Sequence, residues 1–242
     1  MDAAIVTGVS RGLGAALVRL LLARGWNVVG VGRQAAQEAA DGRFRLVRCD
    51  LAETASIRSA VAPMLQQIAR RRPARVVLVN NAAVAAPVGL FGTLDDRDIE
   101  TGLEVNLVAP SILCNLFVEV FLDAACPRRI VNVSSGAAQS ALVAGGMYSV
   151  AKAGLEMLTQ SIAAESAHTG IVAISLRPGI VDTDMQLFMR SQSEERVPSV
   201  GLFRDFHSSG QLVAPHVAAE RIVTRLIEGE VENGRMYRYA EL

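Results

Sequence analysis

Several residue types and patterns are scarce in this sequence, and each scarcity excludes a class of protein. The three cysteines, Cys49, Cys114 and Cys126, have neither CxxC nor metal-ligand spacing, so we expect reduced core thiols and no metal site. The 24 basic residues balance 24 acidic ones, which favours neither nucleic acid nor an anionic membrane as partner. No apolar run approaches the ~20 residues of a membrane span, and no basic secretory signal opens the sequence. We therefore expect a cytoplasmic protein.

Lysine is almost absent. Lys152 is the only lysine among the 24 basic residues, and every other one is arginine. A compact ammonium can approach sugar hydroxyls and a phenol in ways that a planar guanidinium cannot. A single retained lysine therefore marks its position as a candidate functional site.

Apolar residues are abundant, since 51% of residues are hydrophobic and 20% are charged. This hydrophobic fraction is ample for a core. Short β-branched runs alternate with longer helical periods, a pattern typical of a parallel sheet covered on both faces. We predict one doubly wound α/β domain over residues 1–242, of the Rossmann type, with a seven-stranded parallel sheet. The predicted strands are 4–7, 27–31, 45–49, 75–80, 130–134, 171–176 and 235–239. The predicted helices are 13–24, 54–71, 99–124, 148–167 and 215–229.

One connection is unusually long. Residues 182–214 are rich in Ser, Gln, Arg and Glu, with scattered Phe, Met and Leu. Structureless connections of this length in compact domains are usually functional. We predict that this segment is a lid over the substrate.

A glycine-rich turn follows the first predicted strand and opens directly into a helix. Glycines allow the backbone to approach a pyrophosphate closely, and a helix N-terminus offers free N–H groups to it. A plain structural turn is the alternative, but this position at the first strand favours dinucleotide binding. The candidate cofactor residues of the turn are Gly8, Ser10, Arg11, Gly12, Leu13 and Gly14.

The residues after the second predicted strand indicate whether the dinucleotide is NAD(H) or NADP(H). An NAD site usually places a carboxylate there, whereas Gly32 and Arg33 stand here and no acid follows until Glu38. Arg33 and Arg11 could both bind a 2′-phosphate, which predicts NADP(H). Two solvated surface arginines are the alternative.

The third strand ends in Asp50 and Leu51. An acid there could accept a hydrogen bond from the adenine amino group. A turn or N-cap residue for the next helix is the alternative.

Tyr148 and Lys152 are spaced i, i+4, so a helix would place both on one face. An ammonium near a phenol favours phenolate and lowers the pKa of that phenol toward a range useful for proton transfer. Ser135 ends the preceding strand, on the edge where open α/β sheets bind ligands. An exposed helix face is the alternative for the pair, but the strand and the single lysine favour catalysis.

Together these residues resemble the short-chain dehydrogenase/reductase family over essentially the whole chain. The resemblance implies that Tyr148 donates a proton, Ser135 orients a substrate carbonyl and Lys152 binds ribose and tunes Tyr148. It implies that Asn106 holds a water in a proton relay. The remaining implied cofactor contacts are Asn80, Asn81 and Ala82 toward adenosine, and Pro178, Gly179, Ile180 and Thr183 toward nicotinamide. Ala83 departs from the family, which usually has glycine there.

The second half of the sequence is similar to sepiapterin reductase-like and benzil reductase-like members. An NADPH-dependent carbonyl reductase for a hydrophobic or aromatic ketone or diketone is implied. Such proteins usually form homodimers or homotetramers, for which residues 109–125 and the Tyr148 helix are candidates. The expected pocket residues, each also compatible with ordinary packing, are Val84, Leu142, Met147, Met185, Leu187, Phe188 and Phe203.

Two other functions are possible alternatives for this sequence. An NADP(H)-binding regulator without turnover would not need the acid–base phenol Tyr148. A serine hydrolase using Ser134 or Ser135 lacks a GxSxG motif. Its histidine would have to be one of three residues without an evident acid partner or metal-ligand spacing, His168, His207 and His216.

Overall fold

A computed structural model describes residues 1–35 and 42–242. Seven parallel strands form one sheet in the order β3-β2-β1-β4-β5-β6-β7, which confirms the predicted fold class. Strands are added from β1 through β2 to β3 on one side of the sheet and from β4 to β7 on the other. The strand order therefore reverses between β1 and β4, which is where open α/β sheets bind ligands. The strands are β1 (Ala3–Thr7), β2 (Asn27–Gly32), β3 (Phe44–Arg48), β4 (Val76–Asn80), β5 (Arg128–Val133), β6 (Ile171–Arg177) and β7 (Met236–Arg238).

Eight α-helices lie in the described part of the chain. They are α1 (Gly12–Ala23), α2 (Thr54–Arg70), α3 (Asp96–Leu103), α4 (Ala109–Phe121), α5 (Gly146–Glu165), α6 (Asp184–Arg190), α7 (Val200–Ser208) and α8 (Pro215–Ile222). A π-helical turn, Glu104–Val108, joins α3 to α4, and another, Val223–Ile227, extends α8. The helix predicted to begin at residue 99 begins at Asp96, because Asp95 caps it by accepting from Arg97 N at 2.9 Å.

Side chains alternate across the strands and build a separate core on each face of the sheet. Ala4 and Val6 of β1 pack with α1 and α8, whereas Ala3 and Ile5 pack with α2 and α4. This alternation explains why the strands read as continuous apolar runs: both faces are covered.

The continuous helical stretch Asp96–Phe121 is long and apolar enough, by length and composition, to cross a membrane. Asn106, Ser111 and Asn115 interrupt its apolar residues, so the stretch contains no uninterrupted apolar run of ~20 residues. A core helix meets the same criteria, and 44% of the apolar window is buried inside the protein. Leu113, Phe117 and Phe121 are fully buried against the sheet, so the stretch is a layer of the fold.

The segment 182–214 is not a loop, because it contains α6 and α7. Its two ends are joined by a short parallel bridge between Val181 and Val213, with Val213 N donating to Ile180 O at 2.8 Å. Met189 and Phe203 are buried in a small cluster of their own with Val88. The expectation of irregular structure was wrong, since these apolar residues pack against one another and support two helices.

Two neighbouring arginines at the start of β5 cap helices on opposite faces of the sheet. Arg128 donates from Nη1 to Phe121 O at 3.0 Å, at the end of α4. Arg129 donates from Nη1 to Leu226 O, Ile227 O and Gly229 O at 2.5–3.0 Å, beyond α8. Helix C-termini leave carbonyls unpaired and attract positive charge, so both contacts stabilise the layers.

Candidate active site

The glycine turn is shaped by close contacts that a side chain would prevent. Gly8 has φ +70°, and a Cβ added there would lie 2.8 Å from Ala82 Cα. A Cβ on Gly14 would lie 2.1 Å from Gly8 O and 2.5 Å from Asn81 Nδ2. The turn therefore folds against the end of β4 and leaves the N-terminus of α1 facing the edge where the strands end.

Asn81 and Thr7 hold β4 and the glycine turn together. Asn81 Nδ2 donates to Thr7 O at 2.9 Å and to Gly8 O at 3.2 Å. Thr7 Oγ1 in turn accepts from the backbone N of Asn81 and of Ala82, both at 2.9 Å. These contacts account for the Asn-Asn-Ala pattern as a brace for the turn.

Asn80 is placed differently from its neighbour. Its side chain is buried within the sheet, and Nδ2 donates to Asn132 Oδ1 at 2.8 Å. Asn132 Nδ2 continues this line to Thr159 Oγ1 at 2.9 Å. The amide expected at the adenosine side therefore links β4, β5 and α5.

The two arginines expected at a 2′-phosphate both lie at the surface, each near an acid. Arg11 precedes α1, and its Nη1 lies 3.0 Å from Asp184 Oδ2 on α6. Arg33 Nη1 lies 3.8 Å from Asp50 Oδ2. Glu38 lies outside the described residues. With most of their side-chain surface exposed, both guanidiniums remain accessible to a ligand.

Asp50 is a turn residue, which was the alternative to an adenine contact. Its Oδ1 accepts a hydrogen bond from Ala52 N at 3.1 Å. Leu51 is buried in the core below it. An adenine contact by Asp50 would therefore use Oδ2, which is the oxygen near Arg33.

Tyr148, Lys152 and Ser135 come together where β5 ends and α5 begins. Lys152 is 2% exposed and its Nζ lies 5.7 Å from the centroid of the Tyr148 ring. Nζ also donates to Val133 O at 2.9 Å. The Ser135 hydroxyl accepts a hydrogen bond from Ala137 N at 3.2 Å and is close enough to the Tyr148 phenol to lower the pKa of that phenol.

Burial dominates the proton affinities of this cluster. It lowers the pKa of the Lys152 ammonium to about 8, because the charged form loses its hydration. It raises the pKa of the Tyr148 phenol, and the hydrogen bond with Ser135 only partly opposes this. The sequence predicted a lowered phenol pKa and was wrong in direction, because it could not weigh burial against the nearby charge. The Tyr148 phenol is thus protonated at ordinary pH, the state in which a phenol can donate a proton.

Asn106 lies in the π-helical turn between α3 and α4 and is buried. Its Nδ2 donates to Val84 O at 2.9 Å and its Oδ1 accepts from Val84 N at 3.0 Å. The side chain thus clamps the segment after β4. A cavity of about 10 Å³, lined in part by Asn80 and Asn106, has room for roughly one water.

The segment after β6 returns to the glycine turn. Gly179, with φ +73°, follows Pro178, and Ile180 O accepts from Val213 N. Thr183 contacts the turn, since its Cγ2 would lie 3.1 Å from a Cβ on Gly12. The expected nicotinamide segment and the expected pyrophosphate turn therefore share one cleft.

The expected pocket residues separate into three groups by burial. Phe203 is buried in the small cluster of the 182–214 segment, which was the packing alternative. Leu187 and Phe188 are 58% and 41% exposed on α6. The others, Val84, Leu142, Met147 and Met185, are half-buried.

Three residues of this region were missed by sequence reasoning. Phe91 is exposed, and its ring would come within 2.6 Å of a Cβ on Gly146, so it lies over the start of α5. Glu156 and Arg177 form a buried ion pair with a separation of 2.8 Å. Glu156 could have been identified from the sequence, because it follows Tyr148 and Lys152 at the same four-residue interval. No sequence pattern identifies Phe91 or Arg177.

Comparisons with known proteins agree with this geometry. A family model described as short chain dehydrogenase matches residues 2–194. The chain is 29% identical over 243 residues to a benzil reductase ((S)-benzoin forming) of Bacillus subtilis, covering 100% of this chain and 99% of that protein. It is 28% identical over 249 residues to a sepiapterin reductase of Meriones unguiculatus, covering 95% and 93%. The solved structure of KRED1-Pglu enzyme is similar with a TM-score of 0.85 at 31% identity, covering 98% of this chain and 100% of that one. The resemblance predicted from the sequence, including its subgroup, is confirmed.

Proposed function

We propose that this chain, which belongs to the short-chain dehydrogenase family, is an NADPH-dependent reductase of a hydrophobic or aromatic ketone or diketone. Oxidoreductase activity with a nicotinamide cofactor comes with membership of the family. The choice of NADPH, the substrate class and the residue roles are our proposal. The observation that carries it is the Tyr148, Lys152 and Ser135 cluster at the same edge of the sheet as the glycine turn.

The residues present fit a dinucleotide. At Gly8, Gly12 and Gly14 the turn packs so closely against neighbouring residues that a Cβ would clash, and the N-terminus of α1 offers unpaired N–H groups to a pyrophosphate. Thr183 and Gly179 border the same cleft. When bound, a reduced nicotinamide supplies the hydride.

The chain's own residues supply the proton and the charge stabilisation. As a carbonyl carbon gains hydride, its oxygen becomes an alkoxide, and Tyr148 transfers the phenolic proton to that oxygen. Ser135 donates a hydrogen bond where this negative charge develops. The Lys152 ammonium stabilises the phenolate that remains, until solvent reprotonates it.

The proposed preference for NADPH is supported by two exposed arginines at the cofactor cleft. Arg33 follows β2, where an NAD site would carry an acid, and Arg11 enters from the glycine turn. Both can form forked, charge-assisted hydrogen bonds to a phosphate.

The proposed substrate class is supported by the apolar residues around the cleft. Leu187 and Phe188 on α6 and Phe91 near α5 are all exposed there. A benzil reductase is among the relatives that match over their full length. We propose that the segment 182–214 covers such a substrate.

We also propose a homodimer or homotetramer. Val150 and Met157 share one face of α5 and expose apolar side chains, as do Val108 and Leu122 beside α4. A Met157→Glu variant should shift the protein to smaller species in sedimentation, because a carboxylate would be buried at the contact. An unchanged sedimentation profile would exclude this face.

The first experiment measures NADPH oxidation with benzil, sepiapterin and simple aldehydes, with NADH in parallel. Tyr148→Phe should bind NADPH as wild type does but lower turnover by about 10³-fold, because only the acid is lost. Tyr237→Phe is the matched control, since Tyr237 Oη accepts from Glu232 N at 2.9 Å, outside the cluster. Tight NADPH binding without turnover of any carbonyl would favour a regulator over the proposed reductase.

A further inference from the structure

A largely buried polar network links the end of β5 and α5, which carry the proposed catalytic residues, to the end of β6. The Glu156 carboxylate on α5 accepts a hydrogen bond of 2.7 Å from Ser134 Oγ, directly after β5. It also accepts two bonds of 2.8 Å from the guanidinium of Arg177, the last residue of β6. The side chains of Arg177 and Glu156 are only 12% and 14% exposed. Water competes little with such bonds, so they define geometry strongly.

Ser134 stands between the two backbone positions on which the cluster depends. The carbonyl of the preceding residue, Val133, accepts from Lys152 Nζ. The following residue, Ser135, carries the hydroxyl that lowers the pKa of the Tyr148 phenol. Because peptide units are rigid and planar, a displacement of Ser134 moves both neighbours.

The single proton of Ser134 Oγ has two acceptors in reach. Glu156 Oε1 is at 2.7 Å and Lys152 O is at 3.5 Å. The shorter bond to a charged acceptor is the stronger one. Ser134 is therefore held by Glu156, which lies one helical turn beyond Lys152 on the same face of α5.

Arg177 fixes Glu156 from the other side. Its two bonds to the carboxylate use a fork that admits one orientation, and Nη1 also donates to Gln139 Oε1 at 2.6 Å. Pro178, which opens the proposed nicotinamide segment, follows Arg177 directly. The network thus joins the ends of β5 and β6 to the middle of α5.

We propose that Glu156 is a positioning residue: through Ser134 it holds Ser135 and the Val133 carbonyl where Tyr148 and Lys152 require them. This inference rests on the proposed function of the same cluster. Glu156 contacts neither substrate nor cofactor, and its effect reaches the reaction only through Ser134. Its removal therefore lowers the rate of proton transfer more than the affinity for either ligand.

The test compares Glu156→Gln, Ser134→Ala and the double variant with wild type, in the full-length protein. Each single variant should lower kcat about tenfold, with KM for the carbonyl within about twofold, because small misplacement of reacting groups costs rate. The double variant should be no slower than the slower single variant, since both remove one pathway. Glu228→Gln is the matched control: Glu228 accepts from Trp26 Nε1 at 3.1 Å and pairs with Arg24, away from the cluster. Its kcat should stay within about twofold.

Three results would overturn the inference. They are an unchanged kcat in Ser134→Ala, multiplied losses in the double variant, or an equal loss in Glu228→Gln. If Glu156→Gln does not fold, Ser134→Ala decides alone, since it removes one hydroxyl.

A second readout separates this inference from the proposed function. If wild type turns over no carbonyl, the proposed function fails, and the ultraviolet titration of the Tyr148 phenol decides the inference. The difference spectrum against Tyr148→Phe isolates that phenol from the other tyrosines. In Ser134→Ala the titration should move to higher pH, because the Ser135 hydrogen bond that lowers the pKa of Tyr148 weakens. An unmoved titration would refute the positioning role.

Discussion

Replacing Gly14 by alanine should damage both the fold and cofactor binding, whereas the same replacement at Gly201 should not. The added Cβ at Gly14 would lie 2.1 Å from Gly8 O and 2.5 Å from Asn81 Nδ2. Neither atom can yield without moving the glycine turn or breaking the bond from Asn81 Nδ2 to Thr7 O. At Gly201, within α7, an added Cβ meets nothing within 4 Å.

The expected magnitudes follow from these contacts. Overpacking against backbone atoms costs about 3 kcal/mol, which in a domain of this size lowers Tm by roughly 6–12 °C. Gly201→Ala should raise stability by about 0.5–1 kcal/mol, because alanine favours the helix. Gly12→Ala should lie between the two, since its φ of +55° disfavours alanine while its contact at 3.1 Å is a side-chain methyl, Thr183 Cγ2.

The assay is thermal unfolding together with NADPH titration followed by nicotinamide fluorescence. Gly14→Ala should weaken NADPH binding by at least about tenfold, because the displaced turn no longer approaches the pyrophosphate. The predicted order of Tm is Gly14→Ala, then Gly12→Ala, then wild type, then Gly201→Ala. A Gly14→Ala protein with wild-type Tm and affinity would refute the account of the turn.

Three further predictions concern single charges. Burial lowers the pKa of Lys152 from 10.5 to about 8, so the folded state is penalised below pH 8 and gains stability as pH rises from 8 to 10.5. In denaturant titrations, the difference between the free energy of unfolding of Lys152→Met and that of wild type should therefore fall by about 3 kcal/mol between pH 8 and pH 10.5. A difference that stays constant over this range would contradict the burial argument. Arg129→Ala should lower the free energy of unfolding by about 2–4 kcal/mol in the same titrations, because three helix-end carbonyls lose their hydrogen-bond donor. Its NADPH affinity should stay unchanged. A weakened affinity would show that the substitution also disturbs the cofactor cleft. Arg11→Gln should weaken NADPH binding by about tenfold in fluorescence titrations and leave NADH binding unchanged. Asp184→Asn, which removes the ion-pair partner of Arg11, should tighten NADPH binding. Equal effects on both cofactors would show that Arg11 does not bind the 2′-phosphate.

The pairing of both cofactor arginines with acids bears on how NADPH would bind. Arg11 contacts Asp184 on α6, and Arg33 contacts Asp50. Exposed ion pairs of this kind are weak, so a phosphate can displace the carboxylates at little cost. The contact of Arg11 also connects the glycine turn to the segment 182–214, so cofactor binding and the position of that segment are coupled in our proposal.

Much of the cluster could be predicted from local spacing. The four-residue interval from Tyr148 to Lys152 places both on one helix face, and their position after β5 places them at the ligand-binding edge. The same interval extends to Glu156, but its partner Arg177 lies 21 residues further along the chain. A residue's interval on a helix is local, whereas its ion-pair partner depends on which strands become neighbours.

Two expectations failed for a shared reason. Burial raises the pKa of the Tyr148 phenol, and the Ser135 hydroxyl only partly opposes this rise. The segment 182–214 forms two helices because Met189 and Phe203 find partners around Val88, about a hundred residues earlier in the chain. Both outcomes depend on distant surfaces closing over a group.

The sequence by itself determined the parallel α/β fold, the glycine turn and the Tyr148–Lys152 pair, because strand alternation, helical period and backbone freedom are properties of neighbouring residues. Only the tertiary structure decided that Asn80 links strands within the sheet, that Asn106 clamps Val84, and that Arg177 holds Glu156. These are buried polar contacts between segments far apart in the chain. Their energies arise from desolvation and paired geometry, which exist only once the strands have been brought side by side.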